Sequence, residues 1–223
     1  MEEILEIRDG CSTPSQLLKS KAFAKFLNIY KKQFIKELKD LANGMTTSGE
    51  IRDKETAEIA VQAAMTGHMV LSTVHTNDAL SVFSRLVDMG VEPFLVAAPI
   101  KVVQAQRLVR KLCTHCAEPV KVDPAVEKAF ASLGMGFSSD WKKSVGCKRC
   151  VDVGYKGRTG IYEIYDILPK VRDMVVKREL ISNIRQYYQD LGYRNLYQDG
   201  LIKAAKGQTT IEEVVRVTSG VEE

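Results

Sequence analysis

Two Cys-x-x-Cys pairs, Cys113/Cys116 and Cys147/Cys150, constrain this chain more than any other feature in it. Each x₂ turn lets two sulfurs point at one ion. Two such pairs close a tetrahedral shell with no position left for water, which is the arrangement of a structural zinc site. The 117–146 stretch between the pairs is longer than in compact zinc knuckles. Two other readings stay open on spacing alone. One is a set of free thiols; the other is redox chemistry by one Cys-x-x-Cys, against which stands the lack of a helix-start signal after Cys113. His115, between two candidate ligands, reads as a surface residue. With Cys11 standing alone, the cysteine usage suits a reducing compartment better than a secreted disulfide framework.

Upstream of the cysteines, Met69 to His75 reads as a strand with apolar residues on both faces, as expected for a parallel strand covered by helices on either side. It runs into polar residues, Thr76-Asn77-Asp78. In an open α/β sheet ligands bind beyond the carboxyl ends of the strands, where helix N-termini and loop amides converge. Thr73, His75, Thr76 and Asn77 lie at that end, with His75 placed to donate a hydrogen bond to a phosphate oxygen; a histidine satisfying a buried carbonyl fits the same pattern. Glu50 precedes the charged helix start 51–56. A carboxylate there can orient water for attack on a γ-phosphate, although charged helix starts are also commonplace.

The remaining pattern is mostly helical. Asp53 caps a predicted helix that runs through Ile59, Ala60, Ala63 and Ala64 to Gly67. Asn77 or Asp78 caps another, with Val82, Phe83, Leu86 and Val87 as its buried stripe and Gly90 as its stop. Residues 106–112 read as a basic strand, and 161–167 alternate like a strand. Helices are expected over 171–180, through Leu196, Leu201 and Ala205, and after Thr210-Ile211-Glu212-Glu213, a capping box. Near the front, 15–41 forms a basic amphipathic pattern. It suits an anionic membrane or partner surface, or a packed helix with a solvated lysine face. Residues 43–49 are a polar loop.

Composition narrows the function classes. With 223 residues, 45% hydrophobic and 27% charged, the chain has the makeup of a soluble globular protein of one large or two small domains. A net charge of +4 is too mild to argue nucleic-acid binding. The acidic start, followed by no long apolar stretch, predicts neither a signal peptide nor a membrane span, hence a cytoplasmic protein.

Several segments in order then resemble one family. Gly49-Glu50-Ile51-Arg52-Asp53-Lys54-Glu55-Thr56-Ala57, Thr66 to Ala79, Arg85 to Phe94, Ala105 to Arg110, the paired cysteines, and Gly154-Tyr155-Lys156-Gly157-Arg158-Thr159-Gly160-Ile161-Tyr162-Glu163 are similar to the C-terminal part of the type II secretion and type IV pilus assembly ATPases. The resemblance covers Gly49 to about Thr218. It implies an α/β fold: a partial RecA-like (P-loop NTPase) core with parallel strands, then a four-cysteine zinc module and a helical C-terminal end. The corresponding divisions are a divergent segment 1–48, the partial core 49–112, the zinc module 113–160 and a C-terminal strand and helical subdomain 161–223.

By the same resemblance Glu50 is the Walker B glutamate that activates water, and His75, in the histidine box, senses the γ-phosphate. Arg52, Thr73, Arg107 and Arg110 are nucleotide-binding candidates, and Cys113, Cys116, Cys147 and Cys150 ligate a structural Zn2+. The implied partners are secretion ATPase subunits in a homo- or hetero-hexamer and the inner-membrane platform of the secretion or pilus system, with no specific nucleic acid. The implied location is cytoplasmic, peripheral on the inner membrane.

The chain departs from the family pattern at its front. No G-x-x-x-x-G-K-[ST] loop occurs in the sequence, so ATP and Mg2+ are expected to bind only if that half is supplied. Met45-Thr46-Thr47-Ser48 is polar, where the family has a buried strand before the glutamate. Ile4 to Gly10 echoes the sequence around Glu50. Two functions follow as expectations: the C-terminal portion of a secretion ATPase, incompetent alone, or a non-catalytic zinc-stabilised module that associates with a full-length ATPase.

Overall fold

In the computed structural model, residues 50–134 and 139–219 are described. The expectations for 1–48, including the basic pattern 15–41, lie outside them. The chain divides into two units, 1–74 and 75–223.

In the first unit, β1 (Glu50–Ile51) leads into α1 (Lys54–Met65), and β2 (Thr73–Val74) follows. Asp53 caps α1 as expected: its Oδ1 accepts from the Thr56 amide at 2.8 Å and the Thr56 hydroxyl at 2.9 Å. Those bonds, the backbone one foremost, hold its carboxyl below the usual range. Gly67 at φ +96° ends the helix. β1 and β2 pair in parallel, Glu50 opposite Thr73 and Ile51 opposite Val74.

The strand expected over 69–75 is thus confined to Thr73–Val74. Met69 is 73% exposed and Leu71 40%, so the face they share is not covered as predicted. Among the described residues β2 has β1 as its neighbour.

The second unit is built on a long antiparallel ribbon. α2 (Val82–Asp88) and α3 (Pro93–Ala97) precede β3 (Val102–Leu112), which pairs with β6 (Tyr155–Asp166) from Val102↔Asp166 to Leu112↔Tyr155. Between them come β4 (Glu118–Pro119), α4 (Pro124–Ala131), β5 (Lys142–Lys143) and a 3₁₀ turn (Lys148–Cys150). α5 (Pro169–Val176), α6 (Ile181–Asp190), α7 (Leu196–Ala205) and α8 (Ile211–Thr218) complete the unit.

Three local outcomes differ from the pattern in sequence. The helix expected over 171–180 ends at Val176, because Arg178 takes a left-handed φ of 55° and turns the chain, and α6, which the pattern did not predict, follows from Ile181. No glycine marks that break. The strand expected from Ile161 begins at Tyr155. The capping box at Thr210 is half made: Thr210 Oγ1 accepts the Glu213 amide at 3.2 Å, but the Glu213 carboxylate goes to two arginines instead.

Apolar residues from distant segments meet around α7. Leu201, Ala204 and Ala205 pack with Phe130, Trp141 and Val214. The stretch between the cysteine pairs is therefore anchored on the C-terminal helices, not left as a free excursion. Gly200 sits in α7 where a Cβ would overlap the Val214 methyls. Gly200→Ala should gain helix propensity of about 1 kcal/mol but lose about 1–3 kcal/mol to overpacking. The expected outcome is a net loss of up to about 2 kcal/mol in a denaturant titration.

Candidate functional site

The ribbon brings the cysteines together. β3 ends at Leu112, one residue before Cys113, and β6 starts at Tyr155 just after the second pair; the Leu112↔Tyr155 pairing sets the two turns side by side. The Cys113 amide donates to the Gly154 carbonyl at 2.9 Å. The second turn needs unusual backbone, with Val151 and Asp152 both left-handed at φ 54° and 58°. At Gly146, φ is +116° and an added Cβ would lie 2.7 Å from the Asp152 carbonyl oxygen.

All four Sγ atoms lie within 4.8 Å of one another. Three separations, Cys113–Cys147 at 3.9 Å, Cys116–Cys150 at 3.7 Å and Cys147–Cys150 at 3.7 Å, match the roughly 3.8 Å edge of a tetrahedron with 2.3 Å metal–sulfur bonds. They are also far beyond the roughly 2.05 Å of a disulfide. Backbone N–H groups aim at the sulfur of Cys150, from Cys147 at 3.1 Å and from Gly154 at 3.2 Å. Burial pushes the Cys116 thiol up to about 12; at Cys150 burial acts the same way, but the amides of Gly154 and Cys147 outweigh it and bring the thiol down to about 7. A cation among the four would favour the thiolate at every position. His115 is exposed and stays outside the set, its ring against Arg149.

In the first unit, Glu50 lies in β1 with its side chain 28% exposed. Arg52 closes on it with two bonds to Oε2, Nη2 at 2.7 Å and Nε at 2.9 Å. Thr73, opposite Glu50 in the parallel pair, is exposed.

His75 opens the second unit and is exposed. Arg107, in β3, donates from Nη2 to the Asn77 carbonyl at 3.0 Å. Arg110 is committed elsewhere. Its amide and its Nη2 both donate to Glu213, at 3.0 and 2.7 Å, and its guanidinium lies 4.1 Å from the centre of the Tyr155 ring. Glu213 and Glu163 are two buried carboxylates with long-range partners; sequence predicts only a capping-box role for Glu213 and none for Glu163. Beyond that, their sequence signal is an acidic residue inside an apolar pattern.

The fold alone is similar to that of the ATPase DotB of Yersinia pseudotuberculosis, with a TM-score of 0.51, 18% identity and coverage of 77% of this chain and 36% of that one. That fold is of the α/β class. The model of the family described as "Type II/IV secretion system protein" matches residues 45–216, and the chain belongs to that family. The type II secretion system protein HxcR of Pseudomonas aeruginosa is 48% identical over 170 residues, covering 76% of this chain and 32% of that protein. The type IV pilus assembly ATPase PilB of Thermus thermophilus is 43% identical over 174 residues, covering 76% of this chain and 19% of that protein. The chain thus spans a third or less of the length of these two relatives.

Proposed function

We propose that this chain supplies the glutamate and histidine part of the nucleotide pocket of an ATPase powering type II protein secretion or type IV pilus assembly. The observation that carries the reading is the parallel register of Glu50 with Thr73, which sets the glutamate beside the strand that leads, two residues on, to His75. In this reading Glu50 orients the attacking water and His75 meets the γ-phosphate. ATP and Mg2+ bind once a phosphate-gripping loop is supplied, because the 223 residues contain none.

Arg52 and Thr73 flank Glu50, and Arg107 of β3 holds the Asn77 carbonyl, two residues past His75; these three suit nucleotide contacts. Arg52 would first exchange Glu50 for phosphate, a small cost for a side chain 77% exposed. Arg110, the fourth candidate, would have to leave a fully buried carboxylate, which makes it the least suited. The four cysteines hold a structural Zn2+ that fixes the turn between β3 and β6.

Assembly as a homo- or hetero-hexamer with secretion ATPase subunits, coupling to the inner-membrane platform and a cytoplasmic, membrane-peripheral location belong to the same proposal. No helix among the described residues is long and apolar enough to cross a membrane. The division into segments 1–48, 49–112, 113–160 and 161–223 also stands as proposed, with the second and third parting where β3 meets the cysteines.

The zinc-loaded full chain by itself is expected to show no ATP turnover, since the contacts that position the phosphates are missing. Adding a family fragment that carries the phosphate-binding loop should produce turnover, and Glu50→Gln should lower it by about 10²–10⁴-fold. Turnover insensitive to Glu50→Gln would refute the assignment. Co-purification with a full-length family ATPase and suppression of its activity, without complementation, would establish the non-catalytic interaction module instead.

A further inference from the structure

Three successive residues just past His75 are held by side chains from three different elements. Arg107 of β3 donates to the Asn77 carbonyl at 3.0 Å. Arg185 of α6 donates to Asp78 Oδ2 at 3.0 Å, while Asp78 in turn accepts from the Ser81 amide at 2.9 Å. Glu163 of β6 accepts the Ala79 amide on Oε1 at 2.6 Å. Glu163 also reaches further: its Oε2 accepts the amide of Leu196, the first residue of α7, at 3.3 Å.

That second bond spans two segments that sequence separates widely. Glu163 is 1% exposed, and burial, followed by the nearby charge of Asp78, raises its pKa. A carboxylate in such a place costs stability unless both oxygens are used, and an apolar side chain of the same size would pack at lower cost. Its two oxygens each satisfy a backbone N–H that would otherwise be buried without a partner. α7, at the far end of this bridge, packs its buried face on Phe130 and Trp141, inside the stretch between the cysteine pairs.

We propose that Glu163 is a positioning residue that couples the segment behind His75 to the start of α7, so that displacement of one shifts the other and, through the buried face of α7, the cysteine module. The functional meaning of this coupling rests on His75 as the phosphate-sensing residue; the coupling itself requires no nucleotide.

Amide hydrogen exchange on the zinc-loaded full chain tests it. Glu163→Gln keeps the size of the side chain but replaces one acceptor oxygen by a donor group. Ala79 or Leu196 should therefore lose its partner and exchange about tenfold faster. Asn195→Ala removes the side chain that accepts the Gln198 amide at 2.9 Å and caps α7. It should speed exchange at Ala79 by about fivefold or more in the wild-type background and leave it unchanged in Glu163→Gln.

If Glu163 only fills space, Glu163→Gln will exchange like wild type at both amides, and Asn195→Ala will act equally in both backgrounds; either result overturns the proposal. Should Glu163→Gln fail to fold, unchanged exchange at Ala79 in Asn195→Ala alone overturns it as well. These measurements contain no nucleotide, so their failure is distinct from failure of the complementation by a loop-bearing fragment.

Discussion

Cys147→Ser is expected to abolish stoichiometric zinc in the purified chain and to unfold the stretch between β3 and β6. Apparent zinc-binding free energies in small four-ligand modules are about 10–16 kcal/mol, comparable with the ~5–15 kcal/mol stability of a whole domain. The left-handed residues of the second cysteine turn and the close approach at Gly146 are backbone states that a free loop would abandon. Trp141, the one tryptophan in the sequence, is a local reporter: it is 6% exposed and donates from Nε1 to Glu127 at 2.9 Å. Its fluorescence should shift toward that of a solvated indole in Cys147→Ser, and in the wild type after chelation. Full zinc content in the variant, or unchanged emission after proven loss of metal, would show that the sulfurs do not hold the module together.

The second large effect is expected at Glu213. Its side chain is fully buried and takes bonds from the Arg110 amide, the Arg110 guanidinium and two nitrogens of Arg216, tying α8 to β3. Burial alone would push its carboxyl up; the hydrogen bonds from Arg216 and Arg110 outweigh it and hold the carboxyl at about 2. Against an ordinary value of about 4.3 this corresponds to ~3 kcal/mol of stability from the ionised form. The sign follows from the depression: the contribution is complete above about pH 4.3–5 and is lost as pH falls toward 2. Glu213→Gln should therefore cost about 3 kcal/mol at pH 7 in denaturant titrations, with the gap to wild type closing on acidification. A gap that stays constant between pH 7 and pH 3 would mean that the ionised carboxylate is not what the arginines stabilise.

Much of this architecture was readable along the chain wherever one local rule decided the outcome. The Asp53 cap, the Gly67 and Gly90 stops and the basic strand before Cys113 all appear where helix and strand chemistry put them. The limits were equally physical. Arg178 ends a helix in a conformation usually given to glycine, so the start of α6 was hidden. α6 itself buries only Ile184 and Tyr188, too thin a stripe to see. Asp123 followed by Pro124 is a usable start signal for α4.

The candidate site divides in the same way. Paired spacing announced the four sulfurs, and the structure adds distances suited to a tetrahedron. Arg110 and Glu213 lie 103 positions apart, and no periodicity can reveal that one neutralises the other. The run of apolar residues at 69–75 overstated the cover of the strand: Met69 and Leu71, on one face, are exposed.

The pairing of Leu112 with Tyr155 bears on how the chain reaches this state. A ribbon running from Val102 to Asp166 must ordinarily close a long intervening loop before its first rung pays back any entropy. A metal ion captured early by both cysteine turns would close that loop at its neck. The two strands would then zip outward from the knuckle, each rung enclosing little new chain, and such an ion would act as a nucleus for assembly as well as a clasp on the finished fold.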